Sequence, residues 1–342
     1  MKAMVFEAHG GPEVLHAAEV PDPRPGPGEV VIRVLYTSLN RIDTLVRRGY
    51  PGIKVKLPHI LGSDVAGKVE AVGEGAEYIK EGSTVVASPV HGCGHCRQCL
   101  SGNENMCRLW SMLGFHEDGS YAELVKVPAR TVVPVSGSLE ELGALPLSLM
   151  VAYRSVVTIG GASPGKTVLI WGATGGVGTL AIQVAKAFGA RVVATTRSPE
   201  RAKVLTDAGA DLAVVTSEED PVSRVMEFTD GEGADIVIDY VVGSTLDKSL
   251  EALAVGGTIV VFGYLGGPVK ELNWNRFYLK HARVVGTHTG TMRELMDALR
   301  LYEAGKVRPL ITRRMGLSEV AEAHRLMERG DVIGKVSLRV DL

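Results

Sequence analysis

The chain has 342 residues, 45% of them hydrophobic, and a net charge of −2, because 37 Lys and Arg residues nearly balance 39 Asp and Glu residues. This length predicts two domains of ordinary size, and the balanced charge argues against nucleic acid and anionic membrane surfaces as partners. The N-terminus "MKAMVFEAHGG" lacks the apolar core of a signal peptide, and no apolar run approaches the roughly 18 residues of a membrane span, so we expect a cytoplasmic protein whose thiols stay reduced.

The first part of the chain is rich in short β runs. Stretches such as "EVVIRVLY", "VAGKVEAVG" and "STVVAS" alternate with Gly- and Pro-rich segments such as "PDPRPGPGE". Short apolar runs bounded by turn residues are typical of strands. We therefore predict an all-β domain, which we place at residues 1–152.

All four cysteines of the chain lie close together, in a C-x2-C-x2-C-x7-C pattern. A two-residue gap lets a tight turn aim two thiolates at one centre, and four thiolates at about 2.3 Å close a tetrahedral zinc site with no vacancy for a substrate. Disulfides or a metal-free lobe are the alternatives, which a reducing compartment disfavours. We interpret His91 and His95 as exposed residues of this lobe. The pattern predicts one structural zinc in a lobe at about residues 91–108, held by Cys93, Cys96, Cys99 and Cys107.

From Lys166 onward, strands alternate with helices. The predicted strands are "TVLIW", "RVVATT", "LAVV", "DIVIDYV", "GTIVVFGY" and "RVVGTH", and the helical pattern "TLAIQVAKAFGA" separates the first two. Six strands with intervening helices indicate a doubly wound parallel sheet whose cofactor crevice lies at the carboxyl ends of the strands. We place this dinucleotide-binding domain at residues 153–290. The tail, residues 291–342, contains two helical patterns and closes with the strand "GKVSLRV".

A glycine-rich loop joins the first of these strands to its helix. The side chain missing at Gly175 leaves the backbone open to a pyrophosphate, and the one missing at Gly178 lets the helix pack closely on the sheet. The N-terminus of the helix offers free N–H groups to phosphate. A glycine-rich turn without a ligand is the alternative. We predict that the loop binds a dinucleotide through Gly172, Ala173, Thr174, Gly175, Gly176, Val177 and Gly178, with Ala173 in the place of the motif's usual first glycine.

The end of the second strand bears on the choice of cofactor. An acidic residue there would bind the ribose 2′-hydroxyl of NAD, but the sequence reads Thr196, Arg197 and Ser198. These residues could hold a 2′-phosphate, so we predict a preference for NADP(H) over NAD(H). The alternative is that Arg197 stacks on the adenine and that both cofactors bind.

The motifs together resemble the medium-chain dehydrogenase/reductase family along nearly the whole chain. The matching stretches include "LPHILGSDVAGKVEAVGEGA", "DGSYAELVKVPA", "GATGGVG" and "GKVSLRV". The resemblance implies an α/β protein in which a Rossmann doubly wound parallel sheet is inserted into a GroES-like β-barrel domain, with residues 291–342 returning to that first domain. The cysteine lobe is similar to that of zinc-type alcohol dehydrogenases, whereas "LNRIDTLVRRGYP" resembles the quinone oxidoreductases. It also implies a homodimer or homotetramer.

The sequence departs from the alcohol dehydrogenases of this family at every ligand of their second, catalytic zinc. Asn40 stands at the early cysteine position, Ser63 and Asp64 stand where a G-H-E motif has His and Glu, and no cysteine follows Cys107. Asn and Ser are poor zinc ligands. A rearranged site using His59, Asp64 and Asp43 is the alternative.

Without a Lewis acid to stabilise an alkoxide, hydride transfer is easiest onto an acceptor that is already electrophilic. We therefore expect reduction of a quinone or an α,β-unsaturated carbonyl compound, in which a few hydrogen-bond donors stabilise the developing oxyanion. By resemblance, Asn40 and Asp43 lie at the active site, with Asp43 acting through Arg47 or a water, and Tyr50 and Ser63 are further donors. A buried structural role for Asp43 stays open.

The resemblance implies further contacts with the cofactor at the carboxyl ends of the later strands and at the C-terminal strand. An NAD(P)-dependent alcohol dehydrogenase with an atypical or metal-free site is the alternative enzyme, and a non-catalytic dinucleotide-binding protein is the alternative from another class. The further cofactor-binding residues are Val241, Val242, Phe262, Gly263, Tyr264, Thr287 and Lys335.

Overall fold

The computed structural model describes residues 1–51, 54–269 and 271–342, which divide into two compact units. The predicted domain boundaries differ from these units in two places. Residues 148–152, predicted in the first domain, and residues 297–308, predicted in the C-terminal return, both belong to the second unit. Within the described ranges, no helix is both long and apolar enough to cross a membrane. Unit 1 comprises Met1–Leu147, Thr291–Met296 and Pro309–Leu342, and unit 2 comprises Ser148–Gly290 and Asp297–Arg308.

Unit 1 begins with the predicted succession of short strands. The strands are β1 (Lys2–Phe6), β2 (His16–Glu19), β3 (Glu29–Ser38), β4 (His59–Ile60), β5 (Ala66–Val72), β6 (Thr84–Ala87), β7 (Val90–His91), β8 (Ser111–Met112), β9 (Leu124–Pro128) and β10 (Val132–Pro134). Alternation is seen in β5, where buried residues alternate with exposed Lys68 and Glu70, whereas β1 and β6 are buried along nearly their whole length. Three short helices lie among them, α1 (Arg41–Arg48), α2 (Arg97–Leu100) and α3 (Leu139–Leu142).

Unit 2 contains the six predicted strands, in the spatial order β13-β12-β11-β14-β15-β16 and all parallel. This parallel order confirms the prediction of a doubly wound α/β sheet. The strands are β11 (Thr167–Ile170), β12 (Arg191–Thr196), β13 (Leu212–Val215), β14 (Ala234–Ile238), β15 (Leu253–Val261) and β16 (Arg283–Gly286). The central strands β11 and β14 are nearly continuous buried apolar runs, which is typical of strands covered on both faces. The helices are α4 (Pro146–Tyr153), α5 (Gly176–Ala187), α6 (Ala202–Asp207), α7 (Pro221–Phe228), α8 (Leu246–Ala252), α9 (Trp274–Leu279) and α10 (Met292–Glu303), of which α4 and α10 begin in residues of unit 1.

The end of the chain returns to unit 1, as the resemblance implies. It forms β17 (Ile311–Gly316), α11 (Val320–Arg329) and β18 (Lys335–Arg339). Strand β18 pairs with β3, and the main sheet runs β10-β6-β5-β3-β18-β17, with β9 also paired to β3. The core of this unit lies on one face of that sheet and is built from aliphatic residues such as Val30, Ile32, Val69 and Val85. Strand β18 thereby brings the last part of the chain beside the end of β3, where the polar residues described below lie.

Candidate functional site

The four cysteines of unit 1 converge as predicted, in what we call the cysteine lobe (residues 93–107). Their Sγ atoms all lie within 4.8 Å of one another, with 4.0 Å between Cys93 and Cys99 and 3.7 Å between Cys96 and Cys107. Four sulfur ligands at about 2.3 Å from a tetrahedral zinc ion are separated by about 3.8 Å. The donor set and its spacing therefore fit one zinc ion without rearrangement.

Backbone N–H groups point at these sulfur atoms. Cys107 Sγ accepts from the N–H of Cys93 at 3.5 Å and of Leu109 at 3.3 Å, and Cys96 Sγ accepts from the N–H of Cys99 at 3.5 Å. A hydrogen bond from the backbone of His95 lowers the pKa of the Cys93 thiol to about 6. Burial and the neighbouring thiols raise the pKa of Cys99, so the thiols of this cluster shift in opposite directions, and its fit to a metal rests on the convergence of the sulfur atoms.

The two histidines of this region differ in their surroundings. His95 is exposed, as predicted, and its Nδ1 lies 3.0 Å from the carbonyl oxygen of Cys93. His91 was expected to be exposed as well, and that expectation is wrong: its ring is buried and Nδ1 lies 3.0 Å from a carboxylate oxygen of Glu117. The reason is that His91 belongs to strand β7, which pairs with β8, and not to the lobe itself.

A second polar group of unit 1 is organised by Asp64, which is fully buried. Its Oδ2 atom accepts hydrogen bonds from the hydroxyl of Ser38, from Nδ2 of Asn40 at 2.8 Å and from Nζ of Lys335 at 3.1 Å. Its Oδ1 atom accepts from the N–H of Leu147 at 2.8 Å. Both oxygens are thus satisfied by donors. We call Ser38, Asn40, Asp64 and Lys335 the Asp64 cluster.

Lys335 joins this cluster from strand β18. Its side chain is only 3% exposed, and its ammonium group donates to Oδ1 of Asn40 at 2.7 Å as well as to Asp64. We predicted that Lys335 binds the cofactor phosphates; in the structure its partners are Asn40 and Asp64. Because a buried ammonium ion is costly unless it is paired and hydrogen-bonded, the carboxylate and the amide together account for its position.

Asn40 and Asp43 are brought together at the start of α1. The carboxylate of Asp43 accepts from the backbone N–H of Asn40 at 2.8 Å, which is the usual role of an acidic third residue at a helix N-terminus. Tyr121 donates its hydroxyl to the same oxygen of Asp43 at 3.0 Å. The second oxygen of Asp43 is buried without a partner among the described residues. Burial is the main cause that raises the pKa of Asp43 to about 7.

Arg47 makes no hydrogen bond or ion pair with Asp43 among the described residues, so of the two expected routes for Asp43 only the one through a water stays a prediction. The guanidinium is fully buried and donates to the carbonyl oxygen of Gly10, to Nδ1 of His324 at 3.1 Å and to the carboxylate of Glu328. Arg47 therefore joins α1 to α11. Burial, reinforced by the charge of Arg47, lowers the pKa of His324 to about 3.

The two further predicted donors, Ser63 and Tyr50, lie apart from these hydrogen bonds. Ser63 is fully buried, and its hydroxyl donates to the carbonyl oxygen of Leu113 at 3.0 Å. Tyr50 is half-buried, with its ring packed edge-on against Phe115 at 5.7 Å between centroids. Ser63 is thus committed to the backbone, whereas the role of Tyr50 as a donor stays a prediction.

In unit 2 the glycine-rich loop has the geometry that a dinucleotide needs. A Cβ atom at Gly178 would lie 2.5 Å from the carbonyl oxygen of Ala173, so only glycine fits there, whereas a Cβ at Gly175 would meet no atom within 4 Å. The backbone N–H groups of Gly172 and Ala173 bind Thr195 at the end of β12. Helix α5 begins at Gly176, so the N–H groups of its first turn and the positive end of its dipole lie at the loop. The site fits a pyrophosphate.

The three residues predicted to choose the cofactor differ in availability. Arg197 is exposed and makes no hydrogen bond or ion pair within the described part of the chain. The hydroxyl of Ser198 donates to the carboxylate of Glu200, and the buried hydroxyl of Thr196 lies 3.2 Å from the N–H of Ser198, from which it accepts. Of the three residues, Arg197 is therefore the one whose side-chain N–H groups make no hydrogen bond in the described part of the chain.

The carboxyl ends of β11, β14 and β15 are joined by hydrogen bonds. Tyr240, just after β14, donates its hydroxyl to the carbonyl oxygen of Gly172 at 2.5 Å, and its ring stacks on Phe262 with 4.9 Å between centroids. The N–H of Gly266 donates to the carbonyl oxygen of Val241 at 2.7 Å. Thr287, after β16, accepts from Nε of Arg154 at 3.0 Å. The remaining predicted residues of this edge are Val242, which is buried, Gly263, which is half-buried, and Tyr264, which is exposed.

The sequence does not identify Ser38 and Tyr121 as partners of Asp64 and Asp43, and it predicts that Lys335 binds the cofactor. Lys335 lies 295 residues from Asn40 along the chain, so no local pattern could link them. Lys335 also shares the polar positions of "GKVSLRV" with Ser337 and Arg339, so the alternation predicts an exposed lysine and gives no signal of its burial.

Comparisons with known proteins agree with this architecture. Residues 26–137 match the family model of the alcohol dehydrogenase GroES-like domain, and residues 176–304 match that of zinc-binding dehydrogenases. An acryloyl-coenzyme A reductase of Sulfurisphaera tokodaii is 34% identical over 344 residues, which cover 99% of this chain and all of that protein. An NAD-dependent alcohol dehydrogenase of the same organism is 33% identical, over 98% of this chain and 99% of its own. A crystal structure of an NAD-dependent alcohol dehydrogenase is 39% identical, with a TM-score of 0.96 and complete coverage of both chains.

These matches span both units of the chain and confirm the predicted resemblance. The relatives are named as dehydrogenases and reductases, two of them as NAD-dependent, and the matching family model is that of zinc-binding dehydrogenases. The chain belongs to the medium-chain dehydrogenase/reductase family of NAD(P)-dependent oxidoreductases.

Proposed function

We propose that this enzyme transfers hydride from a nicotinamide cofactor, preferably NADPH, to a quinone or an α,β-unsaturated carbonyl compound. In this proposal the cysteine lobe holds one structural zinc, and no zinc takes part in the reaction. The observation that carries the proposal is the ammonium group of Lys335, bound to Asn40 and Asp64. By resemblance, Asn40 and Asp64 occupy ligand positions of the catalytic zinc in the alcohol dehydrogenases of this family.

The hydrogen bonds of the Asp64 cluster argue against a metal there. A cation bound to Asp64 would have to displace the ammonium group of Lys335 and would leave it buried without its carboxylate partner. The amide oxygen of Asn40 accepts from Lys335, and its amide N–H donates to Asp64. The hydroxyl of Ser63 donates to a backbone carbonyl oxygen. The His59 of the rearranged site also has a partner, because its Nδ1 lies 3.3 Å from Asp118. Nε2 of His59 and one oxygen of Asp43 have no partner, but within the described residues the ligand atoms of His59, Asp43 and Asp64 do not converge as those of the four cysteines do.

The chemistry of the acceptor follows from this arrangement. NADPH, when bound, supplies a hydride. An α,β-unsaturated carbonyl or a quinone accepts it while the electron pair moves onto its own oxygen, so the protein has only to stabilise an enolate or a phenolate. Lys335 places a fixed positive charge behind Asn40 and holds the amide of Asn40 in one orientation. The relative named acryloyl-coenzyme A reductase supports this acceptor class, because an acryloyl thioester is an α,β-unsaturated carbonyl compound.

A second candidate is an NAD(P)-dependent alcohol dehydrogenase, which relatives named NAD-dependent alcohol dehydrogenases favour. Such a reaction must stabilise an alkoxide, and zinc normally does this as a Lewis acid. The two candidates therefore differ in how the reaction responds to removal of any metal outside the cysteine lobe.

A panel of acceptors and donors tests the proposal. Purified enzyme is assayed with NADPH and NADH against quinones, enones, acryloyl thioesters and aldehydes, and with NADP and NAD against primary and secondary alcohols. The proposal predicts reduction of quinones or unsaturated carbonyls that a mild chelator leaves unchanged. Alcohol oxidation that a chelator abolishes and added zinc restores would favour the alcohol dehydrogenase instead.

The preference for NADPH rests on Arg197. It lies directly after the carboxyl end of β12, no carboxylate stands at the end of that strand, and its guanidinium makes no bond within the described ranges. A guanidinium binds phosphate through paired, charge-assisted hydrogen bonds, so this position suits the 2′-phosphate of NADP(H).

We also propose that the enzyme is a homo-oligomer in which β16 pairs with a second copy. Strand β16 is an edge of the sheet, and Val284 on it is exposed, as are three large residues of α9, Trp274, Tyr278 and Leu279. An exposed apolar edge strand is otherwise a liability for aggregation. Light scattering should give a dimer or tetramer for the wild type and a smaller species for Val284→Lys; an unchanged mass for this variant would contradict pairing through β16.

A further inference from the structure

Val242 has a backbone conformation that its side chain disfavours. Its φ angle is 67°, although it is β-branched and buried. Valine avoids positive φ because its Cβ then crowds the backbone, and such outliers persist only where the surroundings hold them. The residue lies in the turn Tyr240–Gly243, immediately after β14 at the edge of the sheet where a dinucleotide is expected.

One buried carboxylate holds this turn. Oδ1 of Asp239 accepts the backbone N–H of Val241 at 3.1 Å and of Val242 at 2.9 Å. The hydroxyl of Thr245 reaches both oxygens, at 2.7 and 2.9 Å, and Oδ2 accepts the hydroxyl of Ser249 at 2.7 Å. Two of the four donors are thus the backbone N–H groups of Val241 and Val242, so the carboxylate binds the strained residue directly.

The turn is also fixed from the other side. The carbonyl oxygen of Val241 accepts the N–H of Gly266, and a Cβ atom at Gly243 would lie 2.1 Å from the carbonyl oxygen of Gly266. Tyr240 reaches the glycine-rich loop through its bond to Gly172. The backbone conformation of Val242 therefore fixes the positions of Val241 and Tyr240 relative to the glycine-rich loop and to the end of β15.

We propose that Asp239 is a positioning residue that holds Val242 in its left-handed conformation and so sets the wall of the nicotinamide site. This inference rests on the proposed function and on the prediction that Val241 and Val242 bind the cofactor, and it places them against the nicotinamide. Asp239 has no exposed surface and touches no cofactor itself; it acts through the backbone of the turn. Valine at position 242 disfavours positive φ, so the turn needs the hydrogen bonds of Asp239 to keep this conformation. Nicotinamide binding depends on Asp239 for this reason.

A double-mutant cycle tests this dependence. Asp239→Asn, Val242→Gly and the double variant are prepared, and the Kd of NADPH is measured for each by fluorescence titration, together with KM and kcat. Asp239→Asn should weaken NADPH binding at least about fivefold, the effect of losing charged hydrogen bonds to the turn. Because glycine adopts positive φ without strain, Val242→Gly should restore most of this loss in the double variant.

The matched control is Asp235→Asn, at the other end of the same strand. Asp235 also accepts a backbone N–H, that of Thr167 at 2.8 Å, but lies at the amino ends of the strands. Its variant should melt at a lower temperature while Kd for NADPH stays unchanged. A merely structural role of Asp239 would give the same pattern as this control.

Two results overturn the inference. If Asp239→Asn weakens NADPH binding equally with valine and with glycine at position 242, Asp239 does not act through Val242. If Asp239→Asn does not fold, the pair Val242→Gly and Val242→Ala decides: the glycine variant should melt higher and bind NADPH at least as tightly, and the reverse order would contradict the strain. Failure of the wild type to bind either dinucleotide would instead refute the proposed function.

Discussion

The cysteine lobe and the Asp64 cluster are two groups of polar residues in the same unit, and their donor atoms are used in opposite ways. In the cysteine lobe four sulfur atoms converge within 4.8 Å and accept only weak hydrogen bonds from backbone N–H groups in the described part of the chain. In the Asp64 cluster an ammonium, an amide and a hydroxyl bind the carboxylate and thereby satisfy it. A metal site is therefore recognised by ligand atoms that converge and are not satisfied by strong hydrogen bonds, more than by its position in the fold.

Breaking the cysteine lobe should have the largest effect. In Cys107→Ser a hydroxyl replaces the buried thiolate, so zinc affinity falls and the lobe loses the ion that organises it. We expect the melting temperature to fall by about 10 °C, the size of a loss of a few kcal/mol. Scanning calorimetry measures this, with the exposed His95→Ala as the control. A melting temperature within a degree or so of wild type for Cys107→Ser would mean that no ion supports the lobe.

Removing the ammonium of the Asp64 cluster should have the next largest effect. Lys335→Met takes away the fixed positive charge and frees the amide of Asn40, so kcat/KM for the preferred acceptor should fall about 100-fold. The zinc content should not change. The exposed Lys126→Met, which removes a lysine paired with Glu29, serves as the control and should keep full activity.

The stability of Lys335→Met needs a separate comparison, because the variant leaves Asp64 buried and unpaired, which typically costs about 3–5 kcal/mol. The double variant Asp64→Asn/Lys335→Met removes both charges and should recover much of that stability while activity stays low. Recovery of activity together with stability would show that Lys335 acts only on folding.

Two buried groups beside the Asp64 cluster should make opposite contributions to the pH dependence of stability. The pKa of Asp43 is raised to about 7 by burial, so the folded state holds a proton that the unfolded state releases, and stability falls as pH rises from 5 to 7. The pKa of His324 is lowered to about 3 by burial, so the unfolded state takes up a proton and stability falls as pH drops from 7 to 5. Each contribution amounts to about 2 kcal/mol over this range, and the two nearly cancel in the wild type.

Single variants separate these contributions. Asp43→Asn removes the first, so its free energy of unfolding should drop by about 2 kcal/mol between pH 7 and pH 5. His324→Gln removes the second, so its free energy should drop by about the same amount between pH 5 and pH 7. Urea denaturation at the two pH values measures both. Slopes of the same sign in the two variants would show that one of these groups titrates otherwise than its burial implies.

The smallest effect is expected in unit 2, at Arg197. Arg197→Asp replaces a phosphate-binding group by one that suits a ribose 2′-hydroxyl, so the ratio of kcat/KM for NADPH to that for NADH should fall about tenfold. Arg191→Lys, at the other end of β12, is the control and should leave the ratio unchanged. An unchanged ratio in Arg197→Asp would favour the alternative that Arg197 stacks on the adenine and does not bind phosphate.

Most of the fold could be predicted from the sequence, because its signals are local. The strands of unit 2 contain short apolar runs such as "VLI" and "IVI", and the glycine loop and the four cysteines have fixed spacings. Helix α1 and strand β17 were missed, since α1 is short and "ITRRMG" has charged residues where a strand would alternate. The Asp64 cluster could not be predicted as a unit, because Lys335 meets Asp64 and Asn40 only once β18 pairs with β3.

We expect that the metal of this enzyme supports the cysteine lobe. We also expect that the ammonium group of Lys335 occupies the place where, by resemblance, related alcohol dehydrogenases bind catalytic zinc. The most direct test is the zinc content of the purified protein by mass spectrometry, before and after dialysis against a mild chelator. We predict one zinc ion per chain, retained on dialysis and lost in Cys107→Ser. Two zinc ions per chain, with the second removed by the Asp64→Asn substitution and needed for activity, would contradict the claim.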